Sequence, residues 1–297
     1  MRRRIGRMLE QMLEKIDLSK ALSEEAYKKL IPDLRTRLYM LQKRAWEARV
    51  PTVMVFEGWG ASGRGSMVNF LTQYLEPRVF RLHMILDPRT HELGMPWLWR
   101  FWTRLPNQGE IAIFDQSWYR RVLVDRVEKR VRRNEWQRAF EDINDFERAL
   151  AEDGHLFIKF FLHISKQEQA KRLKKETKDP ISRALRDPED KLQQKHHDKY
   201  LEAVEEMMER TETEWAPWTI IEATDCRYAR VKVFESAIER LTAALKQRGF
   251  EEPVLPPGNG QEMDRGANGE PAAGATGETH AKAGAKTKRN ARKRAKD

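Results

Sequence analysis

The sequence predicts an α/β fold, a doubly wound parallel sheet flanked by helices, and three stretches carry that reading. Val53-Met-Val-Phe-Glu-Gly-Trp-Gly-Ala-Ser-Gly-Arg-Gly-Ser-Met-Val68 is a β-branched and apolar run that breaks into glycines and resumes with helical spacing, so it reads as strand, loop and helix. Gly109-Glu-Ile-Ala-Ile-Phe-Asp-Gln-Ser117 is an apolar strand ending in an acid. His155-Leu-Phe-Ile-Lys-Phe-Phe-Leu-His163 is almost continuously apolar, as strands buried on both faces of a parallel sheet are. Helical patterns separate these strands, and that alternation gives a parallel sheet with helices on both faces.

The remaining elements follow in order. Residues 1–50 read as a helical extension: Met8, Met12, Leu13 and Ile16 stand at helical spacing, and Ser23 caps a second helix whose apolar face is Leu30, Leu34, Leu38, Leu41 and Ala45. Residues 51–250 read as the α/β domain. After the glycine loop, Met67, Phe70, Leu71, Tyr74 and Leu75 form a buried helical face, and Val79–Leu86 is a second strand. Pro96-Trp-Leu-Trp-Arg-Phe-Trp102 is an aromatic stripe at helical spacing, read as core before base-stacking platform. Tyr119–Arg133 and Trp136–Ala151 read as helices, Ser165 and Glu168 as a capping box, and 174–195 as a charged, proline-punctuated loop. Gln193–Arg210 is helical, Trp218–Glu222 is the last strand, and Tyr228–Arg248 closes the domain. Residues 251–297 are rich in Pro, Gly, Ala and charge without apolar periodicity, so they are expected to be a disordered tail.

The chemistry concentrates in the glycine loop. A phosphate loop of the form G-x4-G-K-[ST] uses glycines to free backbone N–H groups for phosphate, a lysine for the outer phosphates and a hydroxyl for magnesium. Gly58-x4-Gly63-Arg64-Gly65-Ser66 keeps the spacing, with arginine for lysine and the hydroxyl one residue late. Candidate phosphate ligands are therefore Gly58, Ser62, Gly63, Arg64, Gly65 and Ser66, and the bland alternative is a glycine-rich strand-to-helix turn. Asp115, at a strand end about fifty residues on, suits the carboxylate that holds magnesium between phosphates. Arg120, Arg121, Arg126, Arg130, Arg132 and Arg133 follow it; a solvated basic face is the bland reading for most of them, and those near the motif are better candidates for phosphate contact, because guanidinium groups bind phosphate oxygens in pairs.

Composition bounds the function. The chain has 297 residues, 34% of them charged, a formal charge of +10 and no apolar run of membrane-spanning length, which points to a cytoplasmic protein with a polyanionic ligand. Eight of the last seventeen residues are basic, so nucleic acid is expected at most as a nonspecific partner of the tail. The one cysteine, Cys226, excludes an internal disulfide and is read as a small buried or half-buried side chain. His196-His197 lacks the carboxylate pattern of a metal site.

Phe56-Glu-Gly-Trp, Gly63-x-Gly65, Phe114-Asp-x-Ser-Trp-Tyr119 and Trp215-Ala-Pro-Trp-Thr-Ile-Ile-Glu-Ala-Thr-Asp225 together resemble the polyphosphate kinase 2 family over about residues 20 to 245, nearest its polyphosphate:AMP phosphotransferase branch. The resemblance implies a P-loop kinase-like fold and magnesium-dependent phosphoryl transfer between inorganic polyphosphate and a nucleotide such as AMP, ADP or GDP, in a homo-oligomer. It also implies that 174–195 is a helical lid over the phosphates, with Arg172, Arg183 and Arg186 facing the ligand, and that Arg121 and Arg126 stand at family positions.

Three positions depart from what the resemblance implies for active members: Gly60 stands for a loop aspartate, Arg64 for a lysine and Gln116 for an arginine. In the lid, Glu176, Ala184 and Leu185 stand where many members carry basic or tryptophan residues. Two-domain members pair one degenerate with one intact copy, and this loop resembles the degenerate one. Two function classes follow: a magnesium-dependent polyphosphate–nucleotide phosphotransferase, and a catalytically weak or inactive binding domain on the same fold.

Overall fold

A computed structural model describes residues 13–176, 188–251 and 253. Among them, five parallel strands form one sheet in the order β2-β3-β1-β4-β5. The strands are β1 (Thr52–Gly58), β2 (Phe80–Met84), β3 (Ile111–Asp115), β4 (Leu156–His163) and β5 (Trp218–Glu222). From the central β1 the chain winds first to β2 and β3 on one side and then to β4 and β5 on the other. That reversal opens a crevice beyond the carboxyl ends of β1, β3 and β4, the place where open α/β sheets bind ligands. Register brings those ends level: Phe56 pairs with Asp115 and with Phe160, and Gly58 with Leu162.

Helix α1 (Glu24–Glu47) starts where Ser23 Oγ accepts the Ala26 N–H at 3.2 Å, and it buries Ile31, Leu34, Leu38, Leu41 and Ala45. It packs on α10 (Cys226–Gln247), which begins with Asp225 accepting the Tyr228 N–H at 2.7 Å. Between them come α2 (Arg64–Thr72), the short turns α3 (Thr90–Leu93), α4 (Trp99–Trp102) and α5 (Val124–Val127), α6 (Arg133–Glu152), α7 (Lys166–Glu176), α8 (Pro188–Lys195) and α9 (His197–Thr211). At the head of α7 only the hydroxyl half of the expected box is made, with Ser165 Oγ accepting the Glu168 N–H at 3.1 Å, because the Glu168 carboxylate turns to Arg172 and Lys171.

The continuous helix expected over 119–133 is not formed. Trp118–Arg121 is a 3-10 turn, α5 spans one turn, and Lys129 at φ 55° breaks the chain before α6. The reason is local: Arg120 and Arg130 turn inward to carboxylates instead of forming a solvated stripe. The charged loop expected over 174–195 is helical at both described ends, in α7 and α8. Cys226, expected at least half-buried, is exposed at the start of α10. Residues 1–12 and most of 251–297 fall outside the described residues, as do Arg183 and Arg186.

Beneath β4 lies a buried polar knot. Lys159 Nζ, fully buried, donates to Tyr119 Oη at 2.8 Å, Glu147 Oε2 at 3.0 Å and the Thr211 carbonyl at 3.0 Å. Glu147 Oε1 accepts the Trp118 indole at 3.0 Å and the Tyr119 hydroxyl at 2.6 Å. Every polar group of the knot is matched, which is what a buried ion pair requires. The motif Phe114-Asp-x-Ser-Trp-Tyr119 is thus tied to α6 and β4 through its last two side chains.

Candidate active site

The loop between β1 and α2 sits at the mouth of the crevice. Gly58 passes so close to β4 that a Cβ there would lie 2.7 Å from the Leu162 carbonyl oxygen, and Gly63, at φ 89°, ends the loop in the left-handed region that favours glycine. Trp59 anchors the turn: its indole donates to His163 Nδ1 at 2.8 Å and stacks on the His197 ring, centroids 4.8 Å apart. Burial pushes His163 down to about 4, so it is the neutral acceptor this bond needs.

Arg64 opens α2, and its Nε–H donates to Asp115 Oδ1 in a short charge-assisted bond across the crevice. Burial alone would lower the guanidinium's pKa, but Asp115 and then Glu57 outweigh it and hold Arg64 above its ordinary value. The second Asp115 oxygen faces the loop, since a Cβ on Gly65 would lie 3.8 Å from it. Glu57, 3% exposed at the end of β1, accepts the Ser117 hydroxyl at 2.7 Å. Burial pushes its carboxyl up to about 7, against the opposing pull of Arg64 and the Ser117 bond. Ser62 Oγ is buried without a hydrogen-bond partner, whereas Ser66 is exposed in the first turn of α2.

The loop's other face is covered by α7 and α8. Gln169 of α7 donates to the Gly60 carbonyl at 3.2 Å, and Gln193 of α8 accepts the Gly60 N–H at 2.6 Å. A Cβ on Gly60 would fall 2.5 Å from Asp190 Oδ1 and 2.9 Å from Asp190 Cα. The place a side chain at position 60 would take is therefore filled by Asp190. Glu189, beside it, is held by both Arg120 Nη atoms at 2.7 Å and by Arg130 Nη2 at 3.1 Å. Arg120 also reaches Asp87 at 2.9 Å and Gln116 Oε1. Burial would lower the Arg120 pKa, but Glu189 reverses that and the net direction is upward. Gln116 itself holds φ 61°, a strained value for a residue with a side chain, fixed by its N–H on the Phe56 carbonyl at 3.0 Å.

Of three sequence-predicted arginines, two do something other than face a ligand and the third lines a cavity. Arg172 spends its guanidinium on the carbonyls of Ala61, Ser62, Ala223 and Thr224, at 2.8 to 3.3 Å, and its Nε on Glu168, so it braces the loop from outside. Arg126 lies over the Trp136 ring, 4.2 Å from its centroid, and pairs with Glu206 at 2.7 Å. Arg121 has only long ion pairs, to Asp125 at 3.8 Å and Glu135 at 3.6 Å, and its Nε is buried without a partner. It lines a cavity of about 290 Å³ next to the end of β3, whose walls include Trp97, Phe101, Arg100, Ser117 and Arg120. Part of the aromatic stripe thus lines a pocket: Trp97 and Phe101 are both on its surface, with the Arg100 Nε also lacking a partner.

Sequence reasoning placed Arg64 and Asp115, which the fold brings together. It missed Glu57, Arg120, Glu189, Asp190 and Gln193. Glu57 carried a signal, an acid inside an apolar strand, which has to be hydrogen-bonded or neutral when buried.

A sequence model of the polyphosphate kinase 2 family matches residues 21–249. The chain is 40% identical over 236 residues to a polyphosphate:AMP phosphotransferase of Pseudomonas aeruginosa, covering 80% of this chain and 48% of that relative. An AMP/ADP-polyphosphate phosphotransferase of Meiothermus ruber is 34% identical over 218 residues, with 72% and 80% covered. The solved polyphosphate kinase 2 of Arthrobacter aurescens superposes with a TM-score of 0.73 at 28% identity, covering 80% of this chain and 86% of that one. The chain spans about half the length of the polyphosphate:AMP phosphotransferases it matches. With the family model matching most of the chain, and with a relative of which it covers 80% at 34% identity, the chain belongs to the polyphosphate kinase 2 family.

Proposed function

We propose that this domain binds inorganic polyphosphate at the 58–66 loop and a nucleoside mono- or diphosphate in the adjoining cavity, and that it transfers a phosphoryl group between them. The observation that carries this reading is the meeting of the loop, Arg64 and Asp115 at the carboxyl ends of β1 and β3, beside a pocket walled by Trp97, Phe101 and three arginines. A pocket of aromatic walls and buried guanidinium groups suits a base and its phosphate. The named activities of the matched relatives agree.

In the reaction, an oxygen of the acceptor's terminal phosphate attacks the end phosphorus of the chain. The bond to the next bridging oxygen breaks, and the shortened chain leaves with that electron pair. Such transfers need positioning and charge neutralisation more than covalent chemistry. Arg64 and the first N–H groups of α2 supply positive potential at the loop, and Arg121 and Arg100 supply it on the acceptor side. Among the described residues, no group of three or more His, Cys, Asp or Glu is placed to hold a metal ion. Magnesium fits as an ion that arrives with the phosphates, since it takes one or two carboxylates and completes its shell with phosphate and water. Asp115, with one oxygen toward the loop, and the unpartnered Ser62 hydroxyl would hold it, and it would neutralise charge on the bridging oxygens.

A second reading, a domain that binds polyphosphate without turnover, is favoured by one observation: Arg64 and Asp115 neutralise each other across the crevice. Incubating the full chain with polyphosphate, magnesium and AMP or ADP, and following the products by phosphorus NMR, separates the two. Turnover lost in Asp115→Asn and Arg64→Ala supports transfer. Binding of tripolyphosphate by calorimetry without turnover selects the second reading, and no binding rejects both.

A further inference from the structure

The contacts of α8 with the loop have a chemical character of their own. A loop built for phosphate offers N–H groups and cations, and its natural complement is an array of anionic oxygens. In this structure such oxygens come from the protein. Glu189 receives both arms of Arg120 and one of Arg130, the two-pronged geometry in which guanidinium groups also take phosphate. Asp190 lies against the Gly60 backbone and within the electrostatic reach of Arg64. The Gln193 amide oxygen takes the Gly60 N–H at 2.6 Å. All three acceptors come from a single turn and a half of α8, and Glu189 and Gln193 are each only 7% exposed.

We propose that this face of α8 is an internal competitor for the ligand: Glu189, Asp190 and Gln193 stand in for polyphosphate oxygens at Arg120 and the Gly60 turn, so a phosphate chain binds only by displacing them. The inference rests on the proposed polyphosphate site and adds a determinant of specificity. A lone phosphate ion offers one anion against two carboxylates, whereas a chain presents several at once and can replace both.

Calorimetric titration of the full chain with tripolyphosphate and with orthophosphate, for wild type and the isosteric double variant Glu189→Gln/Asp190→Asn, tests it. Removing two negative charges close to the bound anion is expected to tighten tripolyphosphate binding by on the order of tenfold to a hundredfold. The gain should shrink as salt rises. Hydrogen exchange of the 58–66 segment without ligand supplies a second measurement, in which the Gly60 amide should exchange faster in the variant. Equal or weaker tripolyphosphate binding by a folded double variant overturns the competitor and leaves the site assignment standing. No binding by either protein overturns the site assignment and the competitor with it.

Discussion

The loop region holds two buried groups whose titrations oppose each other, and separating them tests the packing around the site. His163 is pushed from an ordinary 6.5 down to about 4 by burial, with Trp59 donating to its Nδ1. In the pH range between those values the unfolded chain binds the extra proton, so stability falls as pH drops from 6.5 toward 4. The full displacement is worth about 3 kcal/mol, at roughly 1.4 kcal/mol per pH unit. Glu57 runs the other way. Burial lifts it from 4.5 to about 7, so between those values the folded chain holds the extra proton and stability falls as pH rises from 4.5 toward 7, again by about 3 kcal/mol. Between pH 4.5 and 6.5 the two contributions nearly cancel. His163→Asn keeps an acceptor for the Trp59 indole and removes one titration, and Glu57→Gln keeps an acceptor for Ser117 and removes the other. Urea unfolding at half-unit intervals from pH 4 to 7.5 gives each variant's stability relative to wild type, a difference in which the other titrating groups drop out. That difference should move in the variant's favour on acidification for His163→Asn and against it for Glu57→Gln, by about 3 kcal/mol each. Differences that stay flat with pH, within about half a kcal/mol, would refute the reasoning for that group.

Further outcomes follow from named contacts. Lys159→Met leaves the Glu147 carboxylate buried without its cation, and chemical denaturation should show a loss of about 3 to 5 kcal/mol. Arg120→Ala removes the two-pronged hold on Glu189, and limited proteolysis should then cut near α8 faster than in wild type, while Arg126→Ala, whose partners are Glu206 and Trp136, should leave that rate unchanged. Gly60→Asp alone should lower stability in chemical denaturation, because its Cβ would meet Asp190 at 2.5 Å, and adding Asp190→Gly should recover most of that loss.

The strands and the loop were legible in the sequence because each is a local signal: an apolar run, a glycine cluster, an acid at a strand end. Arg64 and Asp115 stood out for the same reason, and α10 was found from its Val233, Ile238 and Leu241 spacing. What escaped lay in pairings across long separations. Arg120 looks like one more base in a basic stretch until Glu189, 69 residues later, is seen to bury it. Arg172 looks like a ligand residue until four backbone carbonyls claim it. Gly60 reads as a missing side chain, and only the fold shows that Asp190 occupies the space.

Trp59 has a mechanical consequence. Its indole grips His163 at the end of β4 and stacks on His197, the first residue of α9, so the root of the loop and the start of α9 are riveted to one point. Helix α8 ends two residues before that rivet, which makes it a short lever with its fulcrum near residue 196. Asp190 lies about 10 Å along the lever at the helical rise of ~1.5 Å per residue. A swing of about 30° carries its carboxylate roughly 5 Å, the width of one phosphate group, while the loop and α9 stay where they are.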